Sequence, residues 1–205
     1  MNIRLISGIF KNHKITAPNS RQTHPMSERA RNAIFNTIQT DIPGAKILDA
    51  FAGTGALGLE AISRGAKGAV FIEKNRLAQK ILAENLQITE KNPESGTTKL
   101  VRSSISGWLS STQSQFELGE ISEIPTFDVI FADPPYYDPQ FPTIEKLSKR
   151  LNAGGILVLS QPKELENFES ENLFLISEKL YSGAKILFFR RKMSSRKTMF
   201  RKNRK

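Results

Sequence analysis

A chain of 205 residues, 39% apolar and 24% charged, has room for one domain with a small appendage and enough apolar surface for a core, which excludes global disorder. It holds no cysteine and two histidines, which excludes disulfides, zinc–thiolate sites, iron–sulfur clusters and a cysteine nucleophile, and leaves no metal centre to expect. The net charge of +10 is local: eleven of the thirty Lys and Arg lie within residues 179–205, where there is no Asp or Glu, and such a terminus suggests a polyanionic partner such as nucleic acid.

In chain order, Arg4–Phe10 and Lys14–Pro18 read as short strands with turns. Ser27–Thr40 reads as a helix, with Ala30, Ala33, Ile34, Phe35 and Ile38 near period 3.6, Ser27 as N-cap and Glu28 in the first turn. Pro43-Gly44 breaks the chain. Ile47-Leu48 is a buried strand running into the glycine turn Asp49-Ala-Phe-Ala-Gly-Thr-Gly, followed by a helix over Ala56–Arg64 that Gly65 ends. A second strand, Ala69–Ile72, ends at Glu73. The helix Arg76–Glu90 follows, broken at Asn92-Pro93. Lys99–Val101 is a third strand, Ser106–Gln115 a helix and 117–126 a polar loop. Phe127–Ala132 is a fourth strand ending at Asp133, Pro142–Leu151 a helix and Gly155–Leu159 a fifth strand. Phe174–Ile176 and Lys185–Phe189 are expected as the last two strands, antiparallel, with disorder from Lys192. The expected division is an N-terminal hairpin-and-helix extension on the substrate side (1–40), a main domain (41–191) and a basic tail (192–205).

No segment is an apolar run of the ~20 residues a membrane helix needs, and the first eight residues carry no signal-like apolar stretch, so a soluble cytoplasmic chain without membrane contact is expected. Strands alternating with helices predict an α/β fold: a Rossmann-like, mostly parallel central sheet with an antiparallel C-terminal strand and helices on both faces. Ligands of such sheets bind beyond the C-terminal ends of the strands, where Asp49, Glu73, Ser104 and Asp133 fall.

Gly53-Thr-Gly55-Ala-Leu-Gly58 fits G-x-G-x-x-G, with Glu73 closing the next strand. The glycines let backbone approach a ligand, and a carboxylate at that distance accepts from a ribose diol. On its own the motif also fits a plain strand-to-helix turn. Asp49 argues against a dinucleotide, because it stands where a pyrophosphate would bring negative charge, and two unit charges ~4 Å apart repel by about 1–4 kcal/mol. A cofactor with a cationic amine would be attracted instead. S-adenosylmethionine has one beside a sulfonium and carries no phosphate.

Asp133-Pro134-Pro135-Tyr136 follows an apolar strand. Two prolines fix φ and remove two N–H donors, so the local backbone offers acceptors only. A carboxylate and a proline carbonyl can both accept from one NH₂ group, which turns the lone pair of an exocyclic amine away from its ring and towards a methyl donor. The carboxylate also stabilises positive charge developing on that nitrogen, and Tyr136 supplies a face for stacking a base, worth ~1–3 kcal/mol. A rigid turn with a capping Asp would be the structural alternative.

The glycine segment resembles the cofactor loop of class I methyltransferases, and the second motif resembles the (Asp/Asn)-Pro-Pro-(Tyr/Phe) element of enzymes that methylate amines of adenine, cytosine or guanine. Together with Arg29-Ala-Arg31-Asn-Ala-Ile-Phe35-Asn36, Arg4-Leu-Ile-Ser-Gly and Lys11–Lys14, they resemble the RsmD family of bacterial 16S ribosomal RNA guanine-N2 methyltransferases, over roughly residues 1–190. The resemblance implies S-adenosylmethionine as cofactor, bound by Asp49, Phe51, Gly53, Gly55, Glu73 and, near the adenine, Ser104. It implies Asp133, Pro134 and Tyr136 as the catalytic group, with Arg29 and Arg31 as substrate-side candidates; two residues apart on a helix they cannot share one face, so one can reach RNA phosphate while the other makes a structural pair. The partner implied is 16S rRNA or the small ribosomal subunit, met by a monomer. A guanine is turned out into the pocket, Asp133 and the Pro134 carbonyl hold its N2 amine, and the amine takes the sulfonium methyl while its surplus proton leaves to Asp133 or water. Departures include His24 and Met26 before the first long helix, Asn32, Tyr136 for Phe, and Ser160-Gln161-Pro162 where many members have a Glu-containing segment.

Three other readings share these residues. One is an adenine-N6 methyltransferase on DNA or RNA. The second is a nucleotide-cofactor oxidoreductase, which NAD binding without S-adenosylmethionine binding would favour. The third is a non-catalytic RNA-binding protein, whose biological function would survive Asp133→Ala.

Overall fold

Strands covered on both faces read as near-continuous apolar runs, and that is how Phe127–Ala132 and Ile156–Leu159 look in the sequence. The structure is a computed structural model and describes residues 1–18, 26–181 and 183–193. In chain order the elements are β1 (Asn2–Arg4), β2 (Lys14–Thr16), α1 (Glu28–Thr37), β3 (Lys46–Asp49), α2 (Ala56–Ser63), β4 (Gly68–Glu73), α3 (Arg76–Glu90), β5 (Thr97–Arg102), α4 (Ile105–Glu117), β6 (Phe127–Ala132), α5 (Phe141–Ser148), β7 (Leu151–Pro162), β8 (Leu173–Tyr181) and β9 (Ala184–Arg191).

Seven strands form one sheet in the order β5-β4-β3-β6-β7-β9-β8. The pairs from β5 to β7 are all parallel, and β9 runs antiparallel between β7 and β8. This is the expected Rossmann-like α/β arrangement with its antiparallel strand near the C-terminus. The direction of winding reverses between β3 and β6, so the ligand crevice of this sheet opens at the ends of those two strands.

Alternation along each strand divides the core in two. Ile47, Phe71, Val129, Phe131, Val158 and Phe188 face α1, α2 and α3, whereas Leu48, Ile130, Leu157, Leu159 and Leu187 face α4 and α5. Helices therefore cover both faces. Register shifts interrupt the pairing between Phe127 and Val129 on β6 and between Leu175 and Ser177 on β8.

The N-terminal hairpin pairs Asn2 with Thr16 and Ile3 with Ile15. Ile3, Leu5 and Ile15 belong to the same core as α1–α3. Asn85 on α3 holds the hairpin through Thr16, accepting from its N–H at 2.8 Å and donating to its carbonyl at 2.9 Å.

Several sequence expectations are corrected. Residues 6–10 form turns rather than strand, because their backbone is claimed by α2: Ile6 and Ser7 donate to the Glu60 carboxylate, and Phe10 N–H donates to Ser63 Oγ. Gly8, at φ +83°, lies so close to the Ser63 carbonyl that a Cβ would collide with it. Helix α5 stops at Ser148 instead of Leu151, since Phe127 N–H takes the Arg150 carbonyl and Leu151 pairs with Phe127, which starts β7 early. The last two strands are longer than expected, paired from Leu173 with Arg191 to Tyr181 with Ala184. Lys192 is anchored, its N–H on the Asn172 carbonyl and Nζ on that of Glu171, so order persists past the expected start of the tail. His24 and the tail beyond residue 193 lie outside the described residues. Among the described residues no helix is long and apolar enough to cross a membrane.

Candidate active site at the strand ends

The parallel register places four polar residues together. Asp49 pairs with Phe71 and Phe131, so Asp49, Glu73 and Asp133 end β3, β4 and β6 on the face that carries those phenylalanines. The pair Ala132–Leu159 brings Ser160, on β7, beside Asp133 on that same face.

Each residue of the glycine loop has a separate reason. Asp49 is buried, and its carboxylate accepts from Gly58 N–H at 2.9 Å, at the start of α2. Gly58 itself cannot carry a side chain, since a Cβ would lie 2.2 Å from Phe71 Cε1; it is the close contact of helix on sheet. Gly55 caps α2 in the left-handed region at φ +81°. Gly53 also has positive φ, +52°, and a Cβ there would meet nothing within 4 Å, so this turn faces open space. Glu73 accepts from Gly53 N–H at 2.8 Å and Asn75 N–H at 2.6 Å, which ties the loop to the start of α3. Phe51 is partly buried against the α4–α5 core. Ser104 is exposed and caps α4, accepting from Gly107 N–H at 3.1 Å.

In the second motif, Pro134 is buried and the Pro135 carbonyl accepts from Asp138 N–H at 2.8 Å, closing the turn. Asp133 is partly buried, and Tyr136 is 47% exposed with its hydroxyl 3.3 Å from Ser160 Oγ. Ser160 is buried and lies beside Asp133 across the β6–β7 register, where its hydroxyl opposes the effect of burial on that carboxyl.

Burial governs the charges. It pushes the Asp49 carboxyl up to about 7; Gly58 N–H pulls the other way, and the Asp133 and Glu73 charges add to the rise. Burial raises Asp133 as well, with the Ser160 hydrogen bond opposing it. The Tyr136 phenol is raised by burial, lowered by Ser160 and raised again by Asp133. Among the described residues none of these carboxylates forms an ion pair, and they lie beside two prolines that have no N–H to donate, which makes a site that attracts positive charge and N–H donors.

The two arginines part company. Arg29 is exposed and lines a cleft with Ile6, Glu28 and Asn32. Arg31 is 3% exposed and donates to the carbonyls of Met26 at 2.9 Å and Arg4 at 2.7 Å, with burial lowering its pKa. Of the two arginines that cannot share a helix face, Arg31 is the structural one and does not face substrate: its guanidinium ties α1 to β1 and is spent inside the molecule. Trp108 packs against Phe127 and under the Arg150 guanidinium.

Sequence reasoning missed Ser160 and Glu60. Ser160 carried the same signal that marked Asp49, Glu73 and Asp133, a polar residue ending an apolar strand at the ligand edge. Glu60, fully buried on an apolar helix, carried the signal of a carboxylate with no side-chain excuse for burial.

A family model described as Conserved hypothetical protein 95 matches residues 3–190. "Ribosomal RNA small subunit methyltransferase D" of Haemophilus influenzae is 33% identical over 135 residues, 66% of this chain and 64% of the relative. The protein of that name from Escherichia coli K12 is 34% identical over 134 residues, 65% of this chain and 60% of the relative. The chain thus spans somewhat less than two thirds of the length of these relatives. The solved structure of the Escherichia coli protein yhhF superposes with a TM-score of 0.76 at 27% identity, covering 94% of this chain and 99% of that one.

Proposed function

Because the chain belongs to the Conserved hypothetical protein 95 family, we propose that it is an S-adenosylmethionine-dependent methyltransferase acting on the N2 amine of a guanine in 16S ribosomal RNA, as a monomer in the cytoplasm. The observation that carries the reading is the convergence of the glycine-loop carboxylate Asp49 and the motif carboxylate Asp133 on one sheet face at the switch point. The names of the relatives point to ribosomal RNA.

The residues fit the cofactor. Buried carboxylate at Asp49 suits an ammonium, the open turn at Gly53 leaves backbone accessible, and Glu73, already accepting two N–H groups, has lone pairs left for a diol. Asp49, Phe51, Gly53, Gly55 and Glu73 would hold it, with Ser104 at the adenine end. When bound, S-adenosylmethionine supplies an electrophilic methyl group on a sulfonium. Asp133 and the Pro134 carbonyl accept from the exocyclic amine, orient its lone pair and offset the positive charge that grows on nitrogen. The Tyr136 ring stacks on the base. Arg29 meets RNA phosphate. Residues 1–40 form the substrate-side extension of the main domain.

The test is methyl transfer from labelled S-adenosylmethionine to small ribosomal subunits, with nucleoside analysis, for wild type and Asp133→Ala. N2-methylguanosine made only by wild type is expected. N6-methyladenosine would move the reading to the adenine enzymes, and no label despite cofactor binding would overturn the substrate.

A further inference from the structure

The reading above leaves Ser160 without a role. It stands in the middle of the sheet, two residues from the end of β7, paired with Ile186 of β9 on one side and flanked by β6 on the other. The positions before it on that face are Ile156 and Val158, and its strand partner is Ile186, so an apolar side chain would pack there. A serine 2% exposed in such a strand needs a reason, because a buried hydroxyl must be satisfied and a serine suits a strand interior less well than valine. Its neighbours on that side are both residues of the substrate motif: the Tyr136 hydroxyl at 3.3 Å, and Asp133 across the β6–β7 register.

The hydrogen inventory fixes the direction of the chain. Ionised Asp133 can only accept, so the single Ser160 proton goes to it. Ser160 then has only lone pairs to offer, and the Tyr136 hydroxyl, 3.3 Å away, must be the donor. We propose that Ser160 is a positioning residue: its hydroxyl donates to the Asp133 carboxylate and accepts from the Tyr136 phenol, so that one buried group on a rigid strand sets both the amine acceptor and the stacking ring. Tyr136 comes from an exposed turn, and without this anchor little else would fix its ring over the pocket. The assignment of a catalytic consequence rests on the methyltransferase reading; the geometry itself does not.

The titratable groups facing Asp133 are Asp49 at the end of β3 and Tyr136, and Glu73 from β4 acts on Asp49. Ser160 is the donor that opposes burial at Asp133. Removing it therefore raises the Asp133 midpoint.

The experiment compares wild type, Ser160→Ala, Ser160→Thr and Ser160→Cys, with folding checked by urea midpoint. In ligand-free protein, the Asp133 carboxyl is titrated by carbon NMR, its resonance identified by its loss in Asp133→Asn. The midpoint should move up in Ser160→Ala, return in Ser160→Thr and fall between in Ser160→Cys, a weaker donor. In methyl transfer, Ser160→Ala should lose about tenfold in kcat near neutral pH, as expected for a lost hydrogen bond to a charged group, with the acid limb of the pH profile moved upward. Ser160→Thr should restore both. A folded Ser160→Ala with the wild-type Asp133 midpoint and acid limb would overturn the proposal. If wild type transfers no methyl group but the midpoint moves, the positioning contact stands and the methyltransferase reading fails instead.

Discussion

Asp49 offers the sharpest test of the charge logic. Its carboxyl is 3% exposed and is pushed from an ordinary 3.8 up to about 7, first by burial, with Asp133 and Glu73 adding to the rise. In the unfolded chain it ionises near 3.8, so between that value and about 7 the folded chain keeps a proton that the unfolded chain has lost. The contribution to stability is complete below 3.8 and is lost as pH rises through about 7. At 1.36 kcal/mol per unit, the loss over the whole window is about 4 kcal/mol. Asp49→Asn keeps an oxygen for Gly58 N–H and removes the charge. Urea unfolding of ligand-free protein should show wild type giving up about 3 kcal/mol relative to the variant between about pH 5 and pH 8. A cationic ligand selects the ionised form, so the affinity of wild type for S-adenosylmethionine should rise about tenfold per unit up to about pH 7 and then level off. Calorimetry near pH 6 in two buffers of different ionisation enthalpy should register proton release on binding. Asp49→Asn should bind more weakly and without that slope. The same pH slope in both proteins would refute the reasoning.

Four further outcomes are expected. Gly58→Ala places a Cβ 2.2 Å from Phe71 Cε1, and the overpacking should cost about 1–3 kcal/mol, read from the urea midpoint. Arg31→Ala removes the donors to Met26 and Arg4 carbonyls and should destabilise by about 2–4 kcal/mol, whereas Arg29→Ala should change stability by less than about 0.5 kcal/mol. In RNA binding, Arg29→Ala should lower the slope of log affinity against log salt by about 1. Deleting residues 194–205, which carry six Lys and Arg, should weaken RNA binding and flatten that slope by up to about 4; an unchanged slope would make the tail a bystander.

The sheet was legible because its strands are apolar runs bounded by glycine, proline and polar breaks: Phe127–Ala132 and the helix Arg76–Glu90 match the structure residue for residue. Misreadings arose where a distant side chain competes for backbone. Nothing near Ile6 or Ser7 announces that their N–H groups go to Glu60, more than fifty residues away. The β7 start was hidden because Leu151 continues the apolar spacing of α5, and only its pairing with Phe127 makes it strand. For the site, Asp49, Glu73 and Asp133 could be placed together because parallel strands share one ligand edge. Ser160 follows its apolar strand at that same edge, but the strand was expected to stop at Leu159, and only the pairing of Ala132 with Leu159 sets Ser160 beside Asp133. Arg31 shows the converse. Its charge suggested substrate, and its burial decides for structure.

The same electrostatics weigh among ligands. Burial raises the Asp49 carboxyl, and bringing Asp133 and Glu73 to the same face raises it further, a cost carried by the ligand-free fold. A ligand that adds negative charge at the glycine turn would deepen that cost, which argues against a pyrophosphate despite the G-x-G-x-x-G spacing. A ligand with an ammonium near Asp49 and a diol near Glu73 relieves it, and an amine presented to Asp133 relieves it again as positive charge grows on nitrogen. Cofactor and substrate then draw on one reservoir. The Asp133 charge is among the causes that raise Asp49, so a cation beside Asp49 relieves the repulsion between the two carboxylates and lets both be ionised together. Titrating Asp133 with and without S-adenosylhomocysteine, which keeps the ammonium, should show its midpoint lower in the loaded protein. A midpoint that does not move would separate the two carboxylates and break the link between the halves of the site.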